Sequence, residues 1–223
     1  MTTNSIHIAP SLLACDFTRM GEEVERMLEA GADLFHLDFM DGHFVPNLSY
    51  GFPITEALAR RFPDLKLDAH LMVTNPDDYL DRLAELGVWQ VSVHWETCPN
   101  LHRTLQRINK LGMRAGVAYN PHSDLQGFDY LQEYLDNILI MTVNPGFGGQ
   151  SFLSAMLPKI SKAHELSGKL ERKPLVSVDG GINGSTGPAC VRAGAGLLVA
   201  GSYLFGAANL PEALAALRVS AGE

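Results

Sequence analysis

Cysteine is scarce in this sequence: three residues in 223, Cys15, Cys98 and Cys190, far apart and never in a Cys-x-x-Cys pair. That spacing argues against a disulfide framework and a thiolate zinc site, and leaves idle or buried thiols. Positive charge is also short, with 17 Lys and Arg against 25 Asp and Glu and a formal net charge of -8. Such a surface repels a polyphosphate backbone and no local basic cluster compensates, so nucleic acid is not an expected partner. Small phosphorylated ligands stay open, because backbone amides bind phosphate without basic side chains. No apolar run approaches membrane-spanning length, and the opening "MTTNSIHIAPSLL" lacks a basic region, an apolar core and a small-residue cleavage motif. A cytoplasmic protein with no membrane partner is expected. Linkers and low-complexity tracts are missing too. With 46% hydrophobic and 19% charged residues, one globular domain spanning residues 1–223 is expected.

What is present is alternation. Short apolar or β-branched runs ("IHIA", "LFHLDF", "LKLDAHLM", "WQVSVHW", "RAGVAY", "NILIMTV", "PLVSVDG", "GLLVAG") give eight candidate strands, separated by amphipathic helical patterns. One helix follows Asp16, read as an N-cap; another opens on Asn75 as N-cap with Pro76 in the first helical position. Gly31, Gly87, Gly112 and Gly194 each stand just past a helix and shortly before a strand, where a left-handed C-cap belongs. Strict alternation predicts parallel βα units, and eight of them predict an α/β fold of the (β/α)8 TIM-barrel type. The rival doubly wound sheet would carry Gly-x-Gly-x-x-Gly after its first strand, where "IAPSLLACDF" stands instead. In such a barrel, chemistry sits at the C-terminal ends of the strands.

Side chains alternate along a strand, so His36, Asp38 and Met40 share one face, as do Asp68, His70 and Met72, and then Leu175, Ser177 and Asp179. Taken singly, His36 or His70 reads as a hydrogen-bonded core histidine. Two buried aspartates are harder to accommodate, since an unpaired buried carboxylate costs several kcal/mol and calls for a cation. No Lys or Arg neighbours them in sequence. His36, Asp38, His70 and Asp179 converging on one barrel mouth would form an N2O2 site suited to one divalent ion, Zn2+, Fe2+, Mn2+ or Co2+.

Glycine-rich segments follow the sixth, seventh and eighth candidate strands: Gly146, Phe147, Gly148 and Gly149; Gly180 and Gly181; Gly201 and Ser202. Backbone amides in such loops approach anions closely, which points to a phosphorylated small molecule as substrate. Met40, Met72 and Met141 lie at strand ends, where they read either as core filling or as an aprotic lid over a reacting centre. His94 is left between a structural role and one of orienting a neighbour. Lys66 reads as a bottom or surface residue, and no Schiff-base lysine stands at a late strand end, which disfavours one class of aldolase.

"IAPSLLACDF", "HLDFMDGHFVPN", "DAHLMV", "MTVNPGFGGQSF", "VDGGIN" and "VAGSYLFG" together resemble, in order and over nearly the whole chain, the motifs of the ribulose-phosphate 3-epimerase family. The resemblance implies a metal-dependent isomerase that interconverts two ketose phosphates by proton transfer at C3, and a homo-oligomer. Carried over by position, His36, Asp38, His70 and Asp179 match its metal ligands, Asp38 and Asp179 its acid/base pair, and Ser11 and His70 its substrate contacts. The three glycine segments match its phosphate and substrate contacts. "NPHSDL" at 120–125 departs from the family's pattern after the fifth strand. Three of the segments also resemble the allulose-6-phosphate 3-epimerases, which leaves a hexulose phosphate as the alternative substrate.

Overall fold

The computed structural model describes residues 6–218. Its strands are β1 His7–Pro10, β2 Phe35–Met40, β3 Leu67–Met72, β4 Gln90–His94, β5 Arg114–Tyr119, β6 Leu135–Met141, β7 Leu175–Asp179 and β8 Leu197–Ala200. Between and after them run the helices α1 Met20–Glu29, α2 Phe52–Arg61, α3 Leu80–Glu85, α4 Leu101–Lys110, α5 Phe128–Leu131, α6 Leu157–Lys169, α7 Thr186–Arg192, α8 Ser202–Phe205 and α9 Leu210–Leu217. The strands pair in parallel in the order β1-β8-β7-β6-β5-β4-β3-β2. A parallel bridge between Ser11 and His36 brings the two edges together. Lower on the same seam, the Ile8 N–H donates to the Asp33 carboxylate at 2.9 Å and the Asp33 N–H returns to the Ile8 carbonyl at 3.3 Å. The result is the expected (β/α)8 barrel.

The period-2 pattern sorts the strand residues into two environments. Leu37, Phe39, Leu71, Val91, Val93, Ile138, Ile140 and Val178 point outward, buried, into the principal apolar layer between strands and helices. From the other side α4 contributes Leu101, Leu105 and Ile108 at helical spacing. Each such side chain contributes about 1.5–3 kcal/mol when fully buried, so this layer holds the barrel together. The inward residues of β2, β3 and β4 are strongly polar by contrast: His36, Asp38, Asp68, His70, Gln90, Ser92 and His94 are all buried.

Gly31, Gly87, Gly112 and Gly194 take φ values of 91°, 72°, 86° and 105°, the left-handed region expected of C-caps. The helix starts differ in detail from the sequence reading. Asp16 does cap, accepting from the Thr18 N–H, but it opens a 3-10 turn over Phe17–Arg19 that leads into α1. Asn75 likewise precedes a 3-10 turn, Pro76–Asp78, and makes no side-chain cap bond. Its amide donates to the Asp78 carboxylate at 2.6 Å, a charged acceptor and therefore the stronger partner. Burial pushes the Cys98 and Cys190 thiols up to about 12 and Cys15 to about 11, as befits idle thiols. Lys66 lies just before β3, its ammonium 5.6 Å from the centre of the Trp89 ring, away from the barrel mouth. Among the described residues no helix is long and apolar enough to cross a membrane.

Candidate active site

At the C-terminal ends of β2, β3 and β7, one ligand atom from each of His36, Asp38, His70 and Asp179 lies within 4.8 Å of the other three. His36 Nε2 stands 3.4 Å from Asp38 Oδ1 and 3.8 Å from Asp179 Oδ2. His70 Nδ1 stands 3.5 Å from the same Asp38 oxygen and 3.6 Å from the same Asp179 oxygen. Neither ring nitrogen has a hydrogen-bond partner, although both are buried. A tetrahedral ion with ligand bonds near 2.1 Å has edges of about 3.4 Å, close to these spacings. The donor set therefore fits a divalent cation: two carboxylate oxygens and two bare imidazole nitrogens around one point.

The electrostatics make the same demand for positive charge. Burial alone would disfavour a charged His36, but the Asp38 and Asp68 carboxylates overcome it and hold its pKa well above the ordinary imidazole value. His70 is raised as well, burial again being outweighed by Asp179 and Asp38. Burial also opposes the Asp38 carboxylate, yet His36 and then His70 hold it well below the usual range. A field that draws protons onto imidazoles is one that attracts a cation in their place.

Three of the four, His36, His70 and Asp38, are oriented from behind. His36 Nδ1 lies 2.8 Å from the Asp68 carboxylate, which also accepts from Gln90 at 3.0 Å, and Arg114 Nε donates to Gln90 at 3.3 Å. His70 Nε2 lies 2.8 Å from His94 Nε2, and His94 Nδ1 lies 3.0 Å from Glu96. Burial, joined by the neighbouring His70, pushes the His94 pKa down to about 4, against the pull of Glu96. Glu96 is lowered to about 2: burial raises it, but hydrogen bonds from His94 and Ser123 prevail. The Ser11 hydroxyl donates to Asp38 Oδ2 at 2.6 Å. Of these supports Ser11 and His94 were singled out from sequence, His94 with its role left open. The signals for the rest were polar residues at inward strand positions, Asp68 two before His70 and Glu96 two after His94.

Asp41, close to the ligands in sequence, lies outside the cluster. Its carboxylate accepts from the N–H groups of His43, Phe44 and Thr74 and from the Thr74 hydroxyl, fixing the loop after β2. Burial works against the charge, but these bonds lower its pKa to about 2.

Above the four ligands opens a cavity of about 470 Å³ whose wall includes Ser11, Asp38, Asp179 and all three methionines, Met40, Met72 and Met141. Met40 and Met72 pack with Val45, and Met141 with Ala118 and Leu139, in small clusters apart from the principal apolar layer. The glycine segments 146–149, 180–181 and 201–202 complete the wall with Phe147 and Ser202, and among the described residues no Lys or Arg lines it. Gly181 has φ 65°, and a Cβ there would come within 2.6 Å of the Phe152 backbone nitrogen, so a side chain is excluded. Two loops meet over the cavity, where the Asn47 amide donates to the Gly146 carbonyl at 2.8 Å.

Residues 7–205 match the model of the ribulose-phosphate 3 epimerase family. The chain is 46% identical over 216 residues to ribulose-phosphate 3-epimerase of Bacillus subtilis, spanning 96% of this chain and 99% of that one. It is 44% identical over 220 residues to the enzyme of that name from Synechocystis, spanning 98% and 95%. Among solved structures, 3-hexulose-6-phosphate synthase from Salmonella typhimurium superposes with a TM-score of 0.65 at 16% identity over 96% of each chain, a likeness of fold alone. With a family match over most of its length and near-full-length relatives of these identities, the chain belongs to the ribulose-phosphate 3-epimerase family, isomerases that act on carbohydrates.

Proposed function

We propose that this chain interconverts D-ribulose 5-phosphate and D-xylulose 5-phosphate by proton transfer at C3, with one divalent cation held by His36, Asp38, His70 and Asp179. The observation that carries the reading is the pair of bare, buried imidazole nitrogens, each facing the same two carboxylate oxygens. The names of the sequence relatives supply the five-carbon substrate, and none of these is named for a hexulose phosphate. Zn2+, Fe2+, Mn2+ and Co2+ all suit the donor set. When bound, such an ion supplies Lewis-acid stabilisation of negative charge developing on neighbouring oxygen atoms.

Inversion at C3 requires a proton to leave one face and another to arrive at the opposite face. Asp38 on β2 and Asp179 on β7 reach the cavity from different strands and serve one face each, exchanging acid and base roles with the direction of reaction. Ser11 pins Asp38 Oδ2 and so leaves Oδ1 facing His36 Nε2 and His70 Nδ1. Met40, Met72 and Met141 present sulfur and methylene surface to the reacting carbons. They offer no proton there, which protects a carbanionic intermediate from stray protonation. The substrate phosphate is received by backbone N–H groups of Gly181, Gly201 and Ser202, with the 146–149 segment folded over it; the lack of basic residues in the wall favours amides as donors. Assembly as a homo-oligomer is carried over from the family resemblance.

Incubation with ribulose 5-phosphate in deuterated water, followed by NMR at C3, tests the reading. Deuterium incorporation with inversion is expected. Binding without exchange would indicate a sensor, and a borohydride-trapped adduct would indicate a Schiff-base aldolase. Parallel kinetics with allulose 6-phosphate are expected to show the weaker turnover.

A further inference from the structure

The two histidines of the cluster are held by different devices. His36 meets a carboxylate directly, through Asp68. His70 meets a second ring: its Nε2 and the Nε2 of His94 are 2.8 Å apart, so one proton lies between two nitrogens and one of them must accept. The other nitrogen of His94 decides which. Nδ1 faces the Glu96 carboxylate at 3.0 Å, and an ionised carboxylate only accepts, so Nδ1 carries the hydrogen. A neutral His94 then has a bare Nε2, and the shared hydrogen belongs to His70 Nε2. In a neutral His70, the form that takes a cation, Nδ1 is left with a lone pair, and that atom faces Asp38 and Asp179 at 3.5 and 3.6 Å.

Glu96 is itself anchored. Its second oxygen accepts from the Asn120 N–H at 3.0 Å and from the Ser123 hydroxyl. The carbonyls of Asn120 and Ser123 in turn receive the Lys159 ammonium at 2.6 and 2.5 Å. The chain of bonds thus runs from the cluster to α6 through the "NPHSDL" loop that departs from the family pattern.

We propose that His94 and Glu96 are positioning residues: they fix His70 in its Nε2–H tautomer, so that Nδ1 stays free for the cation. The inference rests on the reading of the cluster as a metal site. Neither residue touches substrate in this scheme; both act through His70.

The test uses metal-free full-length protein and measures Zn2+ affinity by competition with a chromophoric chelator. His94→Phe keeps an aromatic ring but offers no acceptor, and His94→Gln restores a carbonyl oxygen where Nε2 stood. Affinity is expected to fall about 10- to 100-fold in His94→Phe, the usual scale for loss of a ligand's supporting partner, and to recover most of that loss in His94→Gln. Equal losses in both variants, or wild-type affinity in a folded His94→Phe, would overturn the proposal while leaving the metal site standing. Failure of the wild-type protein to bind Zn2+ would instead remove the metal reading on which it rests. Should His94→Phe not fold, long-range 15N-imidazole correlation spectra of the zinc-loaded wild-type protein decide the matter. The expected pattern is hydrogen on Nδ1 of His94 and on Nε2 of His70; hydrogen on Nε2 of His94 would refute the assignment.

Discussion

Replacing Gly116 by alanine adds one methyl group to the barrel interior directly beneath the site. Gly116 lies on β5 between Ser92 of β4 and Asn137 of β6, where the Asn137 amide reaches across to the Ser92 hydroxyl at 3.3 Å and the Ser177 hydroxyl donates to Asn137 at 2.5 Å. A Cβ at 116 would overlap the Ser92 oxygen and press within 3.2 Å of the Asn137 side chain. Ser92 and Asn137 are buried, so neither can swing out to water. Overpacking of this kind costs about 1–3 kcal/mol, and an Asn137 N–H stripped of its acceptor about 1–3 kcal/mol more. The smaller backbone entropy of alanine in the unfolded chain returns about 0.4–1 kcal/mol. The net expectation is a loss of about 1–5.6 kcal/mol, read as a lowered urea midpoint or as a fall in Tm of roughly 2–22 °C for a chain of this size. The double variant Gly116→Ala with Ser92→Ala removes the overlapping oxygen. It is expected to be about as stable as Ser92→Ala alone, so the coupling equals the whole cost of Gly116→Ala. A single variant within about 0.5 kcal/mol of wild type, or additive effects in the double, would refute the account of why glycine stands there.

Two further outcomes follow from the site. Asp38→Asn and Asp179→Asn are each expected to lower turnover in both directions by about 10²-fold or more, the usual worth of a positioned acid or base, while circular dichroism stays that of a folded barrel. Near-normal activity in either variant would defeat the two-carboxylate scheme. The depressed carboxylates set the acid limb of stability: Glu96 falls from an ordinary 4.5 to about 2, and Asp41 from 3.8 to about 2. Because the folded values lie below the unfolded ones, their contribution is complete above the ordinary values and is lost as pH falls toward 2. Urea unfolding of Glu96→Gln across that window is accordingly expected to show a shallower pH slope than wild type.

The strand positions of His36, Asp38, His70 and Asp179 were legible because period-2 alternation and strand ends are local properties of the chain. The pairings that orient them were not. That His36 faces Asp68, and Asp68 faces Gln90, follows from the registers of β2 against β3 and β3 against β4, which no single segment contains. The tautomer relay needs the register of β3 against β4 and the path of the loop after β5 as well. Asp41 shows the converse limit: it is three residues from Asp38 in sequence, but it lies one residue beyond the end of β2, and the free N–H groups of the turn there took its oxygens. The register shift between Ala115 and Gly116 was invisible for the same reason, since the Asp136 side chain, rather than a backbone carbonyl, takes the Ala115 N–H.

The seam that closes the barrel is also part of the site, and this would tie folding to the proposed cation binding. Ser11 forms the bridge to His36 and, through its hydroxyl, holds Asp38, so the residue that joins the two edges touches one proposed ligand and pairs with another. Below it the edges share the Ile8 N–H to the Asp33 carboxylate and the Asp33 N–H to the Ile8 carbonyl. Separation of β1 from β2 would tear Ser11 from Asp38 and disturb the four-ligand cluster, so opening of the seam has to work against bound metal. At a free ion concentration of about 100 times Kd that linkage is worth about 2.7 kcal/mol, or roughly 100-fold in the opening equilibrium. Amide exchange at Ile8 and Asp33 is therefore expected to slow by about that factor when Zn2+ is added, whereas exchange in surface helices that open independently should be little changed. Unaltered exchange at the seam, in protein shown by elemental analysis to carry the ion, would mean that the edges part without disturbing the ligands.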